Sequence, residues 1–228
     1  MVLAACGGGI TGALRSGNGE VSRAVAAPSE VRLIEGRVKV SGPQGYCVDQ
    51  SETRDTADQA FVVLARCDAL GGGGAPAKPG LLTVAVSRQA GSPGEFVSPS
   101  ALAAFATSRE GRAAMAASGR ASDLEILDTD ISGDMVMMEA RERGARNGLA
   151  EQHWRALIGR DGYVISARVN AFAEQPMSAR TGFKTLKALA GGIKADNAVS
   201  NVETNAVVAE TETKSGIRRP GIFARIVR

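Results

Sequence analysis

Apolar and polar positions along this chain alternate with period two in most segments and with a helical period in two. Val31–Val40 alternates around Val38 and Val40 and predicts a strand, with Gly36 as a bulge. Phe61–Ala65 and Leu81–Ser87 predict two more strands, after a polar, turn-rich excursion over Asp49–Gln59. Ser98-Pro99 supplies an N-cap and a proline at the first helical position. The Ala-rich run to Ala117 then predicts a helix, weakened at Gly111 and ended by Ser118-Gly119. Leu102, Phe105, Ala106 and Met115 would face its core. Four strands follow over Asp123–Asp128, Met135–Glu142, Gln152–Gly159 and Tyr163–Ala171. Turns at Ser132-Gly133-Asp134 and Arg160-Asp161-Gly162 separate them, and Asp-Gly between alternating residues is a strong hairpin signal. A second helix is predicted from Ser178 to about Lys194, with Phe183, Leu186, Ala190 and Ile193 on one side and Lys184, Lys187 and Lys194 on the other. The order predicts an α+β fold: an antiparallel meander flanked by two main helices, sandwich-like, in one domain over 30–196. Residues 1–29 read as a lipobox and flexible linker, and 197–228 as a polar then basic tail; both tails are expected to be disordered.

Composition supports a packed core and narrows the function classes. With 44% apolar residues in 228, the chain as a whole is not of the disordered class. The net charge of +3 is carried by the end of the chain: residues 214–228 hold five basic residues and no acid, leaving 22 basic against 24 acidic residues elsewhere. A nucleic-acid binder would spread basic residues over a folded face and interleave aromatics, and only 4% of this chain is aromatic. No nucleic acid is expected as a partner, and no cofactor.

The three cysteines read as two different chemistries. Leu3-Ala4-Ala5-Cys6 resembles a bacterial lipobox, with small residues before the cysteine and a Gly-rich stretch after it. Only five residues precede Cys6, without a basic segment or a full apolar one. The reading therefore requires a start further upstream, and the alternative is a chance match. Cys47 and Cys67 then remain as a pair. A bridge between them would close a loop of about 20 residues and contribute roughly 3 kcal/mol in the chain-entropy model. Such a bridge belongs to an oxidising compartment such as the periplasm. A zinc site is not expected, because CxxC is absent and His153 is the one histidine.

The order of strands, helix, meander and helix over residues 31–195 resembles the α/β/α sandwich of the PsbP and DcrB type. Gly45-Tyr46-Cys47-Val48-Asp49 also resembles stretches of small uncharacterised lipoproteins of alphaproteobacteria. The first resemblance implies an accessory protein, such as an extrinsic subunit, an assembly factor or a periplasmic lipoprotein, rather than an enzyme.

Several segments carry candidate chemistry. Asp128-Thr-Asp130-Ile-Ser132-Gly133-Asp134 with Glu139 nearly matches a calcium loop, but Gly119 and Ser122 precede it and Arg141, Arg143, Gly144 and Asn147 follow, which suits a polar hairpin better. In that hairpin Asp128 and Glu139 would pair across the turn. Carboxylates near 123–139 are the candidates for a rival hydrolase reading. His153 reads as a surface or strand-pair residue rather than a catalytic base. Met135, Met137 and Met138 read as core filler rather than a soft-metal patch. Gly71–Gly74 lacks the Lys-Ser/Thr of a phosphate loop. Asp49, Asp55 and Asp58 offer a polar contact surface in the bridged excursion, and Arg218, Arg219, Phe223 and Arg225 a second contact for a partner or an anionic surface. The sequence thus leads to an envelope lipoprotein, outer membrane favoured, that binds a protein partner. A calcium-stabilised module is the third alternative.

Overall fold

A computed structural model describes residues 26–73, 77–89, 97–145 and 148–195. The chain forms β1 (Glu30–Leu33), β2 (Val38–Ser41), β3 (Tyr46–Asp55), β4 (Gln59–Arg66), β5 (Leu81–Arg88), α1 (Pro99–Thr107), α2 (Arg109–Met115), β6 (Leu124–Ser132), β7 (Met135–Glu142), β8 (Leu149–Arg160), β9 (Tyr163–Phe172), α3 (Ala179–Gly191) and β10 (Ile193–Ala195). Seven strands make one antiparallel sheet in the order β3-β4-β5-β9-β8-β7-β6, and β1-β2-β10 make a second. The fold is α+β, as the alternation predicts.

Period-two alternation sorts the large sheet into two faces. Val62, Leu64, Leu82, Val84, Val86, Trp154, Ala156, Ile158, Ile165, Ala167 and Val169 point to one side. There they join Leu186, Leu189 and Ala190 of α3 and Leu33, Val38, Val40 and Ile193 of the small sheet in one cluster. Val136, Met138, Ala140, Leu157 and Val164 point to the other side, against Leu102 and Ala106 of α1 and Met115 of α2. The helices α1 and α2 pack at that end of the sheet, α1 against β6, β7 and β8 and α2 against β6. The β4–β5 end of the same face carries no helix among the described residues, and Phe61 on β4 is 40% exposed there.

Two glycines set the packing. Asp161 and Gly162 both take positive φ, 51° and 78°, and so close the tight hairpin between β8 and β9. Gly182 lets α3 lie directly on Trp154, because a Cβ there would overlap the indole ring.

Four sequence expectations change. Val31–Val40 is a hairpin, β1 and β2, reversed through Ile34, Glu35 and Gly36 at positive φ. The polar excursion is mostly strand: β3 runs to Asp55 and pairs with β4, with an irregularity between Asp49 and Arg54. The Ala-rich helix is two helices, because Ser108 ends α1 and caps α2, its hydroxyl accepting from Gly111 N at 2.9 Å. The second helix stops at Gly191, and Ile193–Ala195 leave it to pair with β2.

Candidate functional site

The half-covered face is a grid fixed by register. One row runs Val63, Thr83, Arg168, Arg155 and Met138 from β4 to β7. The row on one side runs Phe61, Ala85, Ser166, Leu157 and Val136, and on the other Leu81, Asn170, His153 and Ala140. Two arginines therefore sit directly opposite each other, an arrangement that costs stability unless acids offset it. Glu142, at the end of β7 and 2% exposed, supplies one: its Oε2 accepts from Arg168 Nη2 at 2.7 Å and its Oε1 from Ala117 N at 2.6 Å.

Arg155 is the odd member. It is 8% exposed, and its Nη2 donates to Met115 O at 3.1 Å, which ties the end of α2 to the sheet. Its Nε has no partner, and it makes no ion pair with a carboxylate among the described residues. Burial, then the neighbouring Arg168, pushes its guanidinium down to about 9, against an opposing pull from Glu142. Asn170, 3% exposed, donates through Nδ2 to Leu81 O at 3.1 Å and leaves Oδ1 without a partner. His153 is fully buried beside it, with Nδ1 3.3 Å from Glu151 O. Burial, Arg168 and Arg155 hold that imidazole well below the usual histidine range. The surface expectation for His153 is thus corrected: it is a strand-pair residue in the interior.

Glu142, Arg155, Arg168 and Asn170 line one side of a groove of about 310 Å³ between the open half of the sheet and α2. Phe61, Leu81, Ala85, Ala114 and Leu149 add apolar surface, beside Thr83 and Ser166. A larger cleft of about 560 Å³ lies along β6, bordered by Thr107, Arg112, Glu125 and Asp128. Its two carboxylates are exposed, and Arg141 Nη1 lies 3.5 Å from Glu125. A charge held away from water interacts far more strongly with a ligand than one in water, so the smaller groove is the better site.

Cys47 and Cys67 form a disulfide with Cα atoms 4.8 Å apart, joining the start of β3 to the residue after β4. Asp49 is capped locally by Ser51, Asp55 accepts from Ile34 N at 2.9 Å, and Asp58 pairs with Arg88 at 3.2 Å, so these three brace the hairpin and its neighbours. The calcium-like segment is the β6–β7 hairpin: Asp128 lies opposite Glu139, Gln152 donates to Glu139, and Asp134 pairs with Arg160. No group of three or more His, Cys, Asp or Glu that could hold a metal occurs among the described residues. Met137 and Met138 point to opposite faces, and each fills a core. Cys6, Arg218, Arg219, Phe223 and Arg225 lie outside the described residues.

Sequence reasoning missed Glu142, Arg155, Arg168 and Asn170. A usable signal existed: the Asp161-Gly162 turn puts Arg160 opposite Tyr163, and counting back along the hairpin puts Arg155 opposite Arg168.

No protein-family model matches this chain. No curated protein matches its sequence. Among solved structures, the chain is similar to the solution structure of cyanobacterial PsbP (CyanoP) from Synechocystis sp. PCC 6803, at 13% identity and a TM-score of 0.43, over 85% of this chain and 98% of that one.

Proposed function

We propose that this chain is an accessory protein of the cell envelope, anchored through a lipid on Cys6, that binds a protein partner on the open half of its large sheet. The observation that carries the reading is the one-sided covering of that sheet. On the α3 side its apolar residues are buried along its length, while on the α1–α2 side Phe61, Val63, Thr83 and Ala85 lie partly open next to buried charge. An exposed apolar face rimmed by polar groups is the usual form of an interaction site. The Cys47–Cys67 bridge supports an oxidising compartment. The Gly-rich residues 7–29 suit a tether, and the basic residues 214–228 a second contact with a partner or an anionic membrane surface.

Photo-crosslinking in intact cells tests the binding role. A benzophenone amino acid at Thr83 should give a discrete higher-mass adduct, whereas the same group at Lys187, exposed on α3, should not. Equal yields from the two positions, or none from Thr83, would overturn the reading.

A further inference from the structure

We propose that the groove between β5, β9 and α2 captures the free C-terminus of a partner protein that ends in an apolar residue. This rests on the binding role proposed above and names the chemistry recognised there. Arg155 and Asn170 both line the groove, and each holds a buried atom with unused hydrogen-bonding capacity just beneath its surface: Arg155 Nε, a donor on a cation, and Asn170 Oδ1, an acceptor. They stand on neighbouring rows of one sheet face, since Arg155 is opposite Arg168 and Asn170 is two residues further along β9. Glu142 makes no hydrogen bond to Arg155; its two oxygens accept from Arg168 and from the Ala117 amide. Such orphaned polar groups are costly in a protein interior and are commonly satisfied by water or a ligand.

A chain terminus meets both needs at once. Its carboxylate accepts from the planar guanidinium, and its last amide N–H donates to the Asn170 oxygen. A simple anion such as phosphate answers only the first, and a fatty acid lacks the N–H. The remaining walls choose the side chain: Phe61, Leu81, Ala85 and Leu149 offer apolar surface. A groove of about 310 Å³ has room for one or two residues rather than for a long strand.

The test is calorimetry on the oxidised full chain with acetyl-Ala-Ala-Leu as the free acid, the same peptide as its C-terminal amide, and octanoate. The acid should bind about tenfold or more tighter than the amide, the usual gap for losing a charge-assisted pair. Octanoate should be weaker than the peptide acid. Arg155→Met should bring acid and amide to the same affinity. Ala85→Trp, which alters no charge and keeps a good strand former, should weaken both peptides by about tenfold and decides the matter if the arginine variant loses its fold. Equal binding of acid and amide, octanoate binding as tightly as the peptide acid, or no saturation by the acid below about 10 mM would overturn the inference. A Thr83 adduct in cells with no peptide binding would refute this terminus-capturing mode alone, whereas loss of both would remove the binding role itself.

Discussion

His153 makes the stability of this protein sensitive to mild acid. It is the chain's one histidine, fully buried on β8 between Ala140 and Asn170, with Arg168 and Arg155 close by. The folded chain keeps the ring neutral well below pH 6.5, while the unfolded chain takes up a proton near that value. Between the two, the unfolded state holds the extra proton, so stability falls as pH drops and is fully present above about 6.5. A single group kept neutral in the folded chain contributes a slope of at most about 1.4 kcal/mol per pH unit and, by pH 5, a loss of at most about 2 kcal/mol. Glu30, Asp68 and Asp123 are held below the usual carboxylate range, by Lys39, Arg66 and Ser118 respectively. Their stabilisation is lost only as pH falls through and below about 4, outside this window. Urea midpoints from pH 8 to 5 on untagged protein measure the slope, and the one imidazole NMR signal reports the ring directly. The signal should stay fixed over that range, and His153→Gln should flatten the slope. A ring that titrates near 6.5, or a slope that survives the substitution, would refute the reasoning.

Other perturbations have defined outcomes. Replacing Cys47 and Cys67 together by serine should cost about 3 kcal/mol, the value for a closed loop of this size, read from urea denaturation. Gly182→Ala should destabilise by about 1–3 kcal/mol or more, because the new methyl overlaps the Trp154 indole and neither α3 nor the ring can withdraw without opening the core; thermal unfolding measures it. Neither calcium nor EDTA should move the melting temperature, since Asp128, Glu139 and Asp134 are strand and turn residues of a hairpin rather than ligands around one point.

The strands of the meander were legible because two faces of a sheet impose alternation directly. The predicted Met135–Glu142 is β7 to the residue, and Leu81–Ser87 and Tyr163–Ala171 each fall one residue short of β5 and β9. Where alternation was missing, the sequence misled. The second half of β3 is an edge segment, largely exposed on either side, and its polar residues Glu52 to Asp55 give no core-facing signal. Its ladder is supplied by β4, which local sequence does not show. The β1–β2 turn uses Ile34 and Glu35 at positive φ, residues that announce no turn. The break at Ser108 hides within strong helix formers, and becomes necessary only when α2 turns to place Met115 under the sheet.

The site was less legible than the fold. Glu142, Arg155 and Arg168 are spaced thirteen residues apart, which matches no local motif, and antiparallel register alone brings them together. Arg155 shares a face of β8 with His153 and Leu157 and alternates with Trp154 and Ala156, and both faces prove to be buried, so a charged residue lies inside where alternation alone gives no sign of it. The disulfide was readable because counting leaves two cysteines, and pairing of Cys47 with Ala65 places it next to Cys67.

Tether, bridge and binding face belong to one account only if the chain works outside the cytosol. Intact-mass analysis of the protein isolated from its own cells, before and after reduction, tests that most directly. The account requires an acyl group on Cys6 and a gain of two hydrogens on reduction as Cys47 and Cys67 part. An unacylated chain whose cysteines are all free thiols before reduction would contradict it.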